Sequence, residues 1–172
     1  MQLYIERGYE QVTVADIAER AGLTARTFFR YFADKREVLF AGSAELQERM
    51  VSALEAAPKS AAPIDAVAAA LDEAAENLGE RHDYARQRRS VIAANAELQE
   101  RELIKLAALS AALADGLRRR GITEADADLA AEAGIAVFRV AFERWATAPT
   151  DRGLAKVMRE SLDQLKALTA AN

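Results

Sequence analysis

Residues 13–31 read TVADIAERAGLTARTFFRY. A threonine followed three residues later by a carboxylate, as in Thr13 and Asp16, is a capping box, and it predicts a helix that starts just after Thr13. Gly22 is expected to end that helix, because glycine readily takes the left-handed conformation common at helix C-termini. Thr24 caps a second helix, which runs to the end of the stretch. Two short helices joined by so tight a turn predict a helix-turn-helix.

The residues around the turn are suited to close helix packing. Ile17, Ala18, Ala21 and Leu23 are expected to lie beneath the turn, and the two alanines are small enough to let the helices approach each other. Gly22 allows the left-handed backbone that the turn requires. A generic helical hairpin with a solvated charged face has the same spacing, so the pattern alone leaves both interpretations open.

The second helix is the one that enters the DNA major groove in a helix-turn-helix. Its outward residues are predicted to be Thr24, Ala25, Arg26, Thr27 and Arg30. Arg26 is suited to a guanine edge, where two hydrogen bonds supply about 1–3 kcal/mol of discrimination. Thr27 has a hydroxyl group for a phosphate and a methyl group for thymine.

Other residues of this region are predicted to hold the DNA backbone. Thr13 lies at a helix N-terminus, where free amides favour phosphate. Tyr31 and Lys35 follow the second helix and are expected to contact neighbouring phosphates, which fixes register more than sequence. The chain has a net charge of −4, yet residues 20–36 hold five basic residues against the single acid Asp34. The positive charge that nucleic acid attracts is therefore concentrated here.

The chain as a whole is predicted to be all-α, because glycine and proline are few and strand-like alternation is absent. Caps and apolar periodicity divide it into about nine helices. The first ends at Gly8, and the next seven span residues 14–21, 24–31, 34–57, 64–79, 83–94, 103–121 and 123–148. The last is capped by Thr150 or Asp151 and runs to residue 168.

Four segments near the N-terminus resemble the DNA-binding domain of TetR-family transcriptional regulators: residues 7–10, 13–14, 17–23 and 28–35. The resemblance covers residues 3–45. It implies a homodimer that reads a near-palindromic operator, with Thr13, Thr27, Tyr31 and Lys35 at positions that commonly touch DNA. Two departures concern Phe29, where members often have a phosphate-binding tyrosine, and Met1, before which members usually have further residues. The first helix is therefore expected to be truncated.

Residues 86–103 and 136–145 resemble the C-terminal domain of a TetR subgroup that includes mycofactocin-type regulators. The resemblance implies a helix-turn-helix domain of residues 1–42 and a helical effector-binding and dimerisation domain of residues 43–172. It also implies a small hydrophobic effector, such as an acyl thioester. The candidate pocket lining is Leu71, Leu78, Arg88, Arg89, Ile92, Leu106, Leu109, Phe138 and Phe142. Plain core packing is the alternative interpretation of its apolar members. Arg88 and Arg89 are either solvated or paired with Glu97, Glu100 and Glu102, or they hold an anionic group such as a coenzyme A phosphate.

A homodimer is also predicted from the C-terminal apolar pattern. Residues 129–145 are apolar on nearly every side, and a helix of that kind must be covered all round. One subunit covers one side, and a partner is expected to cover the other with a four-helix interface of two-fold symmetry. The alternative is a monomer with a simple core. The predicted interface residues are Leu129, Ile135, Arg139, Trp145, Leu154, Val157, Met158 and Leu162.

Several classes of function are disfavoured. Cysteine is absent and His82 is the single histidine, so neither a thiolate site nor a multi-histidine metal site is expected. No nucleophile–base pair is evident, and we expect neither an enzyme nor a cofactor. No apolar run is long enough to cross a bilayer and no signal peptide is evident, so a cytoplasmic protein without a membrane partner is expected. The main alternative to a ligand-released repressor is a helical interaction module whose helix-turn-helix no longer binds DNA.

Overall fold

The computed structural model describes residues 1–149 and 152–170, and it confirms the all-α prediction. These residues form nine α-helices and two 3-10 helices. The α-helices are α1 (Gln2–Arg7), α2 (Val14–Arg20), α3 (Ala25–Tyr31), α4 (Ser43–Ala56), α5 (Pro63–Leu78), α6 (His82–Ala93), α7 (Ala96–Arg119), α8 (Glu124–Thr147) and α9 (Leu154–Ala170), and the 3-10 helices are Lys35–Phe40 and Gly79–Arg81. Thr13, Thr24 and Thr123 cap α2, α3 and α8, as the sequence predicts.

The single helix predicted over residues 34–57 is wrong. Asp34 does cap a helical turn, since its carboxylate accepts hydrogen bonds from the amides of that turn, but the turn belongs to the 3-10 helix Lys35–Phe40. Gly42 then takes a left-handed backbone with a φ of 84°, which interrupts the helix before α4 begins. The break lets the last two residues of the 3-10 helix enter a different core from that of α4.

Two further boundaries differ from the prediction. The helix predicted over residues 103–121 begins earlier, at Ala96, because Asn95 adopts an extended backbone and its carbonyl accepts the first amides of α7. The predicted cap of the last helix at Thr150 or Asp151 lies outside the described residues.

The larger of two hydrophobic cores lies among α4, α5, α7, α8 and α9. Its fully buried side chains include Met50, Leu54, Val67, Leu113 and Trp145. Gly134 of α8 lies directly against α5, since a Cβ atom at this position would be 2.4 Å from Cγ1 of Val67. Within residues 1–149 and 152–170, no helix has both the length and the apolar character needed to span a membrane.

The second core joins the N-terminal region to α6 and α7. Its members are Leu3, Tyr4, Tyr9, Val12, Leu39, Phe40, Val91, Ile92 and Leu98. The last three come from α6 and α7, so the first 42 residues complete their core with side chains from the following domain. The predicted domain boundary falls at the left-handed Gly42, but the packing continues across it.

Candidate DNA interface and effector region

The turn between α2 and α3 is closed by two backbone hydrogen bonds. The amide of Leu23 donates to the carbonyl of Ala18 at 2.8 Å, and the amide of Gly22 donates to the carbonyl of Glu19 at 3.0 Å. With a φ of 67° at Gly22, this is a Schellman motif. The motif brings the Leu23 amide towards α2 and leaves its side chain outside, 48% exposed. The prediction that Leu23 lies beneath the turn is therefore wrong.

The packing beneath the turn comes from fewer residues than predicted. Ala18 and Phe28 are buried and Ile17 is half-buried, whereas Ala21 is exposed. Phe28 also meets Phe32, with ring centroids 5.3 Å apart. The inward face of α3 is thus held by Phe28, which turns the opposite face of the helix to solvent.

Thr13 forms the complete capping box with Asp16. Its hydroxyl accepts from the Asp16 amide at 3.2 Å, and its own amide donates to the Asp16 carboxylate at 2.8 Å. Hydrogen bonds from the side chain and then the backbone of Thr13 lower the pKa of the Asp16 carboxyl, and Arg7 adds an ion pair at 3.2 Å. The carboxylate is therefore charged at neutral pH and ties α1 to the start of α2.

The outer face of α3 carries most of the predicted base and phosphate contacts. Thr24 accepts from the Thr27 amide at 3.2 Å, and the two hydroxyls are 3.0 Å apart. Arg26 is exposed, and Arg30 donates to the Tyr31 hydroxyl at 2.8 Å and lies over its ring. The structure brings Thr24, Ala25, Arg26, Thr27, Arg30 and Tyr31 together on this one short helix and its cap.

The available positive charge is smaller than the count over residues 20–36 indicates. Arg20 forms an ion pair with Glu6 at 3.3 Å. Arg36 forms a short ion pair with Asp34, which raises the pKa of its guanidinium. Among the residues that the structure describes, Arg26 and Arg30 are the members of this basic stretch that have neither a carboxylate partner nor a set of backbone acceptors.

Lys35 does not extend towards solvent in this structure. Its ammonium group donates to the carbonyls of Tyr9 at 2.9 Å, Val12 at 3.0 Å and Glu10 at 3.2 Å. An ammonium group has three N–H donors, and all three are used here. The DNA-backbone contact predicted for Lys35 has no free donor in this conformation.

Arg88 and Ile92 were predicted in the effector pocket, but both lie at the junction between the domains. Arg88 donates to the carbonyl of Leu39 at 2.8 Å, forms an ion pair with Glu102 at 3.0 Å and lies over the Phe40 ring. Ile92 is buried in the second core. The side of α6 that carries these residues packs against the first domain and the start of α7, away from the aromatic side chains of α8.

A second ionic contact at the junction was missed by the sequence analysis. The carboxylate of Glu37 accepts from Arg101 at 2.5 Å and from Lys105 at 3.0 Å. Burial by itself raises the pKa of the Glu37 carboxyl, but hydrogen bonds from these two cations outweigh it and lower the pKa. The partners are more than 60 residues apart in the chain, and no local pattern links them.

The other predicted effector residues lie in or against the larger core. They are Leu71, Leu78, Leu106, Leu109, Phe138 and Phe142. The rings of Phe138 and Phe142 stack at 5.9 Å, and Phe142 meets Trp145 at 5.5 Å. The row ends at His82, whose Nε2 lies 2.9 Å from the Trp145 carbonyl oxygen. The aromatic row thus belongs to the second half of α8, and His82 at the start of α6 contacts its last member, Trp145.

Arg89 is paired within the chain. It forms a two-pronged ion pair with Glu143 of α8, and this hydrogen bonding raises the pKa of its guanidinium. The geometry agrees with the interpretation that Arg88 and Arg89 pair with glutamates, although the partner of Arg89 is Glu143 rather than a residue of α7.

Most of the predicted dimer residues are buried inside the subunit. Ile135, Trp145, Leu154, Val157, Met158 and Leu162 belong to the larger core, so they cannot contact a partner in this conformation. Leu129 is 72% exposed and Arg139 is exposed. Val140 of α8 and Leu168 of α9 are also exposed apolar residues. Periodicity identified apolar helices but could not say which apolar side faces inwards.

Two family models match this chain. Residues 1–41 match bacterial regulatory proteins of the tetR family, and residues 61–170 match the MftR C-terminal domain. The chain belongs to the TetR family of bacterial regulatory proteins. Together the two models cover both domains of this TetR-family chain, and the C-terminal match agrees with the mycofactocin-type resemblance.

One curated relative and two solved structures illustrate the TetR-family relationship. The chain is 39% identical over 70 residues to the HTH-type transcriptional regulator TcmR of Streptomyces glaucescens, a match that spans 41% of this chain and 31% of TcmR. PfmR of Thermus thermophilus is 22% identical with a TM-score of 0.52, covering 95% of this chain and 92% of PfmR. FadR of Thermus thermophilus, solved in complex with lauroyl-CoA, is 23% identical with a TM-score of 0.54, covering 100% of this chain and 92% of FadR. At these identities the two structures support the fold alone.

Proposed function

We propose that this chain is a ligand-responsive transcriptional repressor that binds a near-palindromic DNA operator as a homodimer and is released by a small hydrophobic or acyl-type effector. The observation that carries the proposal is the outer face of α3. Arg26 and Arg30 are exposed there without carboxylate partners, in a chain where most other arginines are paired. A helix locked by a Schellman turn and presenting uncompensated arginines is suited to the major groove.

The proposed contacts divide between bases and backbone. Arg26, near the N-terminus of α3, is assigned to a guanine edge, and Ala25 and Thr27 to neighbouring base edges or methyl groups. Arg30, Tyr31 and the threonines Thr13 and Thr24 are assigned to phosphates, which fix the register of the domain on DNA. Phe29 is exposed but has no hydroxyl for a phosphate.

The proposed dimer uses the outer sides of α8 and α9. Leu129, Val140 and Leu168 are exposed there, and Arg139 has no ion-pair partner among the described residues. Packing two copies of these helices about a two-fold axis would cover the apolar side chains. The two copies of α3 must then lie about one DNA turn, roughly 34 Å, apart to meet adjacent major grooves.

The proposed effector site lies beside the aromatic row of α8. Phe138 and Leu109 belong to the larger core and Phe142 packs against it, and an acyl chain could replace the stacking contact of Phe138 with Phe142 if α6 moved. The lauroyl-CoA bound by the structurally similar FadR supports an acyl-type ligand. Because α6 also carries Arg88 and Ile92, such a movement would reach the first domain through the junction.

DNA binding can be tested with the DNA that flanks the gene, by fluorescence anisotropy at two salt concentrations. A specific complex that weakens steeply with salt is expected. Arg26→Ala should cost about 1–3 kcal/mol of specific binding per half-site, whereas Arg159→Ala, which removes an exposed arginine of α9, should change little. Equal effects of the two substitutions, or the absence of any specific complex, would favour the interaction-module alternative.

A further inference from the structure

The ammonium group of Lys35 closes a turn of the backbone. The three carbonyls that accept its hydrogen bonds belong to the segment between α1 and α2, at Tyr9, Glu10 and Val12. The same ammonium lies 4.3 Å from the centre of the Tyr9 ring, within the range of a cation–π contact. The side chain of Lys35 is half-buried, so these contacts are partly shielded from water.

The turn that Lys35 closes determines the orientation of α2 relative to α1. It begins at Gly8, whose φ of 82° reverses the chain, and it ends at Thr13, the N-cap of α2. Val12 within it is 1% exposed and belongs to the second core. Three carbonyl dipoles that converge on one point repel each other, and a single cation with three donors relieves that repulsion.

The backbone of Lys35 is also held. The Tyr4 hydroxyl of α1 donates to the Lys35 carbonyl at 2.8 Å. Lys35 is therefore bound at both ends, by α1 through its carbonyl and by the α1–α2 turn through its ammonium group. This arrangement fixes the start of the 3-10 helix Lys35–Phe40 against the two elements that precede α3.

We propose that Lys35 is a positioning residue of the DNA-binding domain: its ammonium group holds the α1–α2 turn, and through it the orientation of α2 and α3, and does not bind DNA phosphate. The role in DNA recognition rests on the proposed function, whereas the hold on the turn does not. Lys35 is thus assigned an internal role in place of the backbone contact expected from the sequence.

Two substitutions separate the two roles. Lys35→Met removes the charge and keeps the aliphatic length. Lys35→Arg keeps the charge, and arginine is a strong phosphate ligand, but its planar guanidinium cannot direct three donors at these three carbonyls. Hydrogen exchange of a peptide covering residues 8–16 reports on the turn without any DNA, because the amides of Val12, Thr13 and Asp16 are hydrogen-bonded there. A peptide within α8 serves as the internal reference.

If Lys35 positions the turn, both variants should exchange about tenfold or more faster over residues 8–16 and at an unchanged rate in α8. Both should bind the operator about five- to tenfold more weakly, with the salt slope of Lys35→Arg equal to that of the unmodified chain. Unchanged exchange in both variants would overturn the proposal. So would full operator affinity in Lys35→Arg combined with a slope reduced by about 0.9 per subunit, or about 1.8 for a dimer, in Lys35→Met, since that result identifies a phosphate ligand. If the unmodified chain binds no operator, the proposed function fails, and the exchange data still decide the role of Lys35.

Discussion

Replacement of Glu37 by glutamine tests the ionic contact that joins the two domains. The Glu37 side chain is 16% exposed and its carboxylate contacts Arg101 and Lys105, which are themselves about one-third exposed. Glutamine has nearly the same shape and keeps one acceptor oxygen, but it removes the negative charge. The two cations of α7 then remain near each other at the junction without a counter-charge.

The expected loss of stability follows from the hydrogen bonds involved. Hydrogen bonds to charged groups contribute about 1.5–3 kcal/mol each when shielded, and exposed ion pairs contribute about 0–1 kcal/mol. With two such contacts, partial exposure and one acceptor retained, we expect Glu37→Gln to lower the free energy of unfolding by about 1–3 kcal/mol at pH 7. The exposed pair of Glu45 and Arg49, at 3.2 Å on α4, provides the control, and Glu45→Gln should cost less than about 0.5 kcal/mol.

The pH dependence gives a second check. The pKa of the Glu37 carboxyl is lowered in the folded chain, because hydrogen bonds from Arg101 and Lys105 outweigh burial. A lowered carboxyl pKa stabilises the fold fully above the unfolded value of about 4.3, and that contribution is lost as the pH falls through the folded pKa. The difference in the free energy of unfolding between Glu37→Gln and the unmodified chain should therefore be constant from pH 7 to about 5, and it should shrink below about pH 4.

Urea unfolding followed by circular dichroism at several pH values measures both the loss of stability at pH 7 and its pH dependence. The slope of free energy against urea should stay unchanged, so that the shift in midpoint reports stability. A loss at pH 7 no larger than that of Glu45→Gln would refute the argument that the junction is held by this contact. A loss that persists undiminished at low pH would refute the assignment of the effect to the Glu37 charge.

Two further predictions concern the proposed dimer and effector. The double variant Leu129→Glu, Val140→Glu should be monomeric by sedimentation velocity while keeping its helical content, because both residues are exposed in the subunit; a persistent dimer would exclude this face. Lauroyl-CoA should change the emission of Trp145 saturably, because that fully buried side chain contacts Phe142, and free coenzyme A should not; no change with either compound would count against an acyl site beside α8.

The sequence predicted the helix-turn-helix well because its determinants are local. The capping box of Thr13 and Asp16, the left-handed Gly22 and the cap at Thr24 all act within a few residues, and each is found in the structure. The residues exposed on α3 follow from the helical period once Phe28 is inside. The error at Leu23 has the same local origin, since the reversal at Gly22 determines which way the next side chain points.

The contacts between distant segments could not be predicted in this way. Periodicity marks α8 and α9 as apolar, but Trp145 and Leu162 face the subunit core while Leu129 faces solvent, and that choice depends on how α5 and α7 pack against them. Lys35 shows the same limit for a charged residue. Its basic side chain suggested a contact with DNA, whereas in the structure carbonyl oxygens surround it. The positions of those carbonyls cannot be predicted from the sequence.

The shared second core has a consequence for regulation. A first domain with its own complete core could rotate freely about Gly42, and side-chain packing would then pass no movement of the second domain to it. Here Val91, Ile92 and Leu98 belong to the same core as Tyr4 and Phe40. The hydrogen bond from Arg88 to the Leu39 carbonyl and the ion pair of Glu37 with Arg101 also cross the junction. Any displacement of α6 must therefore move the first domain or expose this apolar core. Because that exposure is costly, we expect the position of α6 and the orientation of the first domain to be energetically coupled.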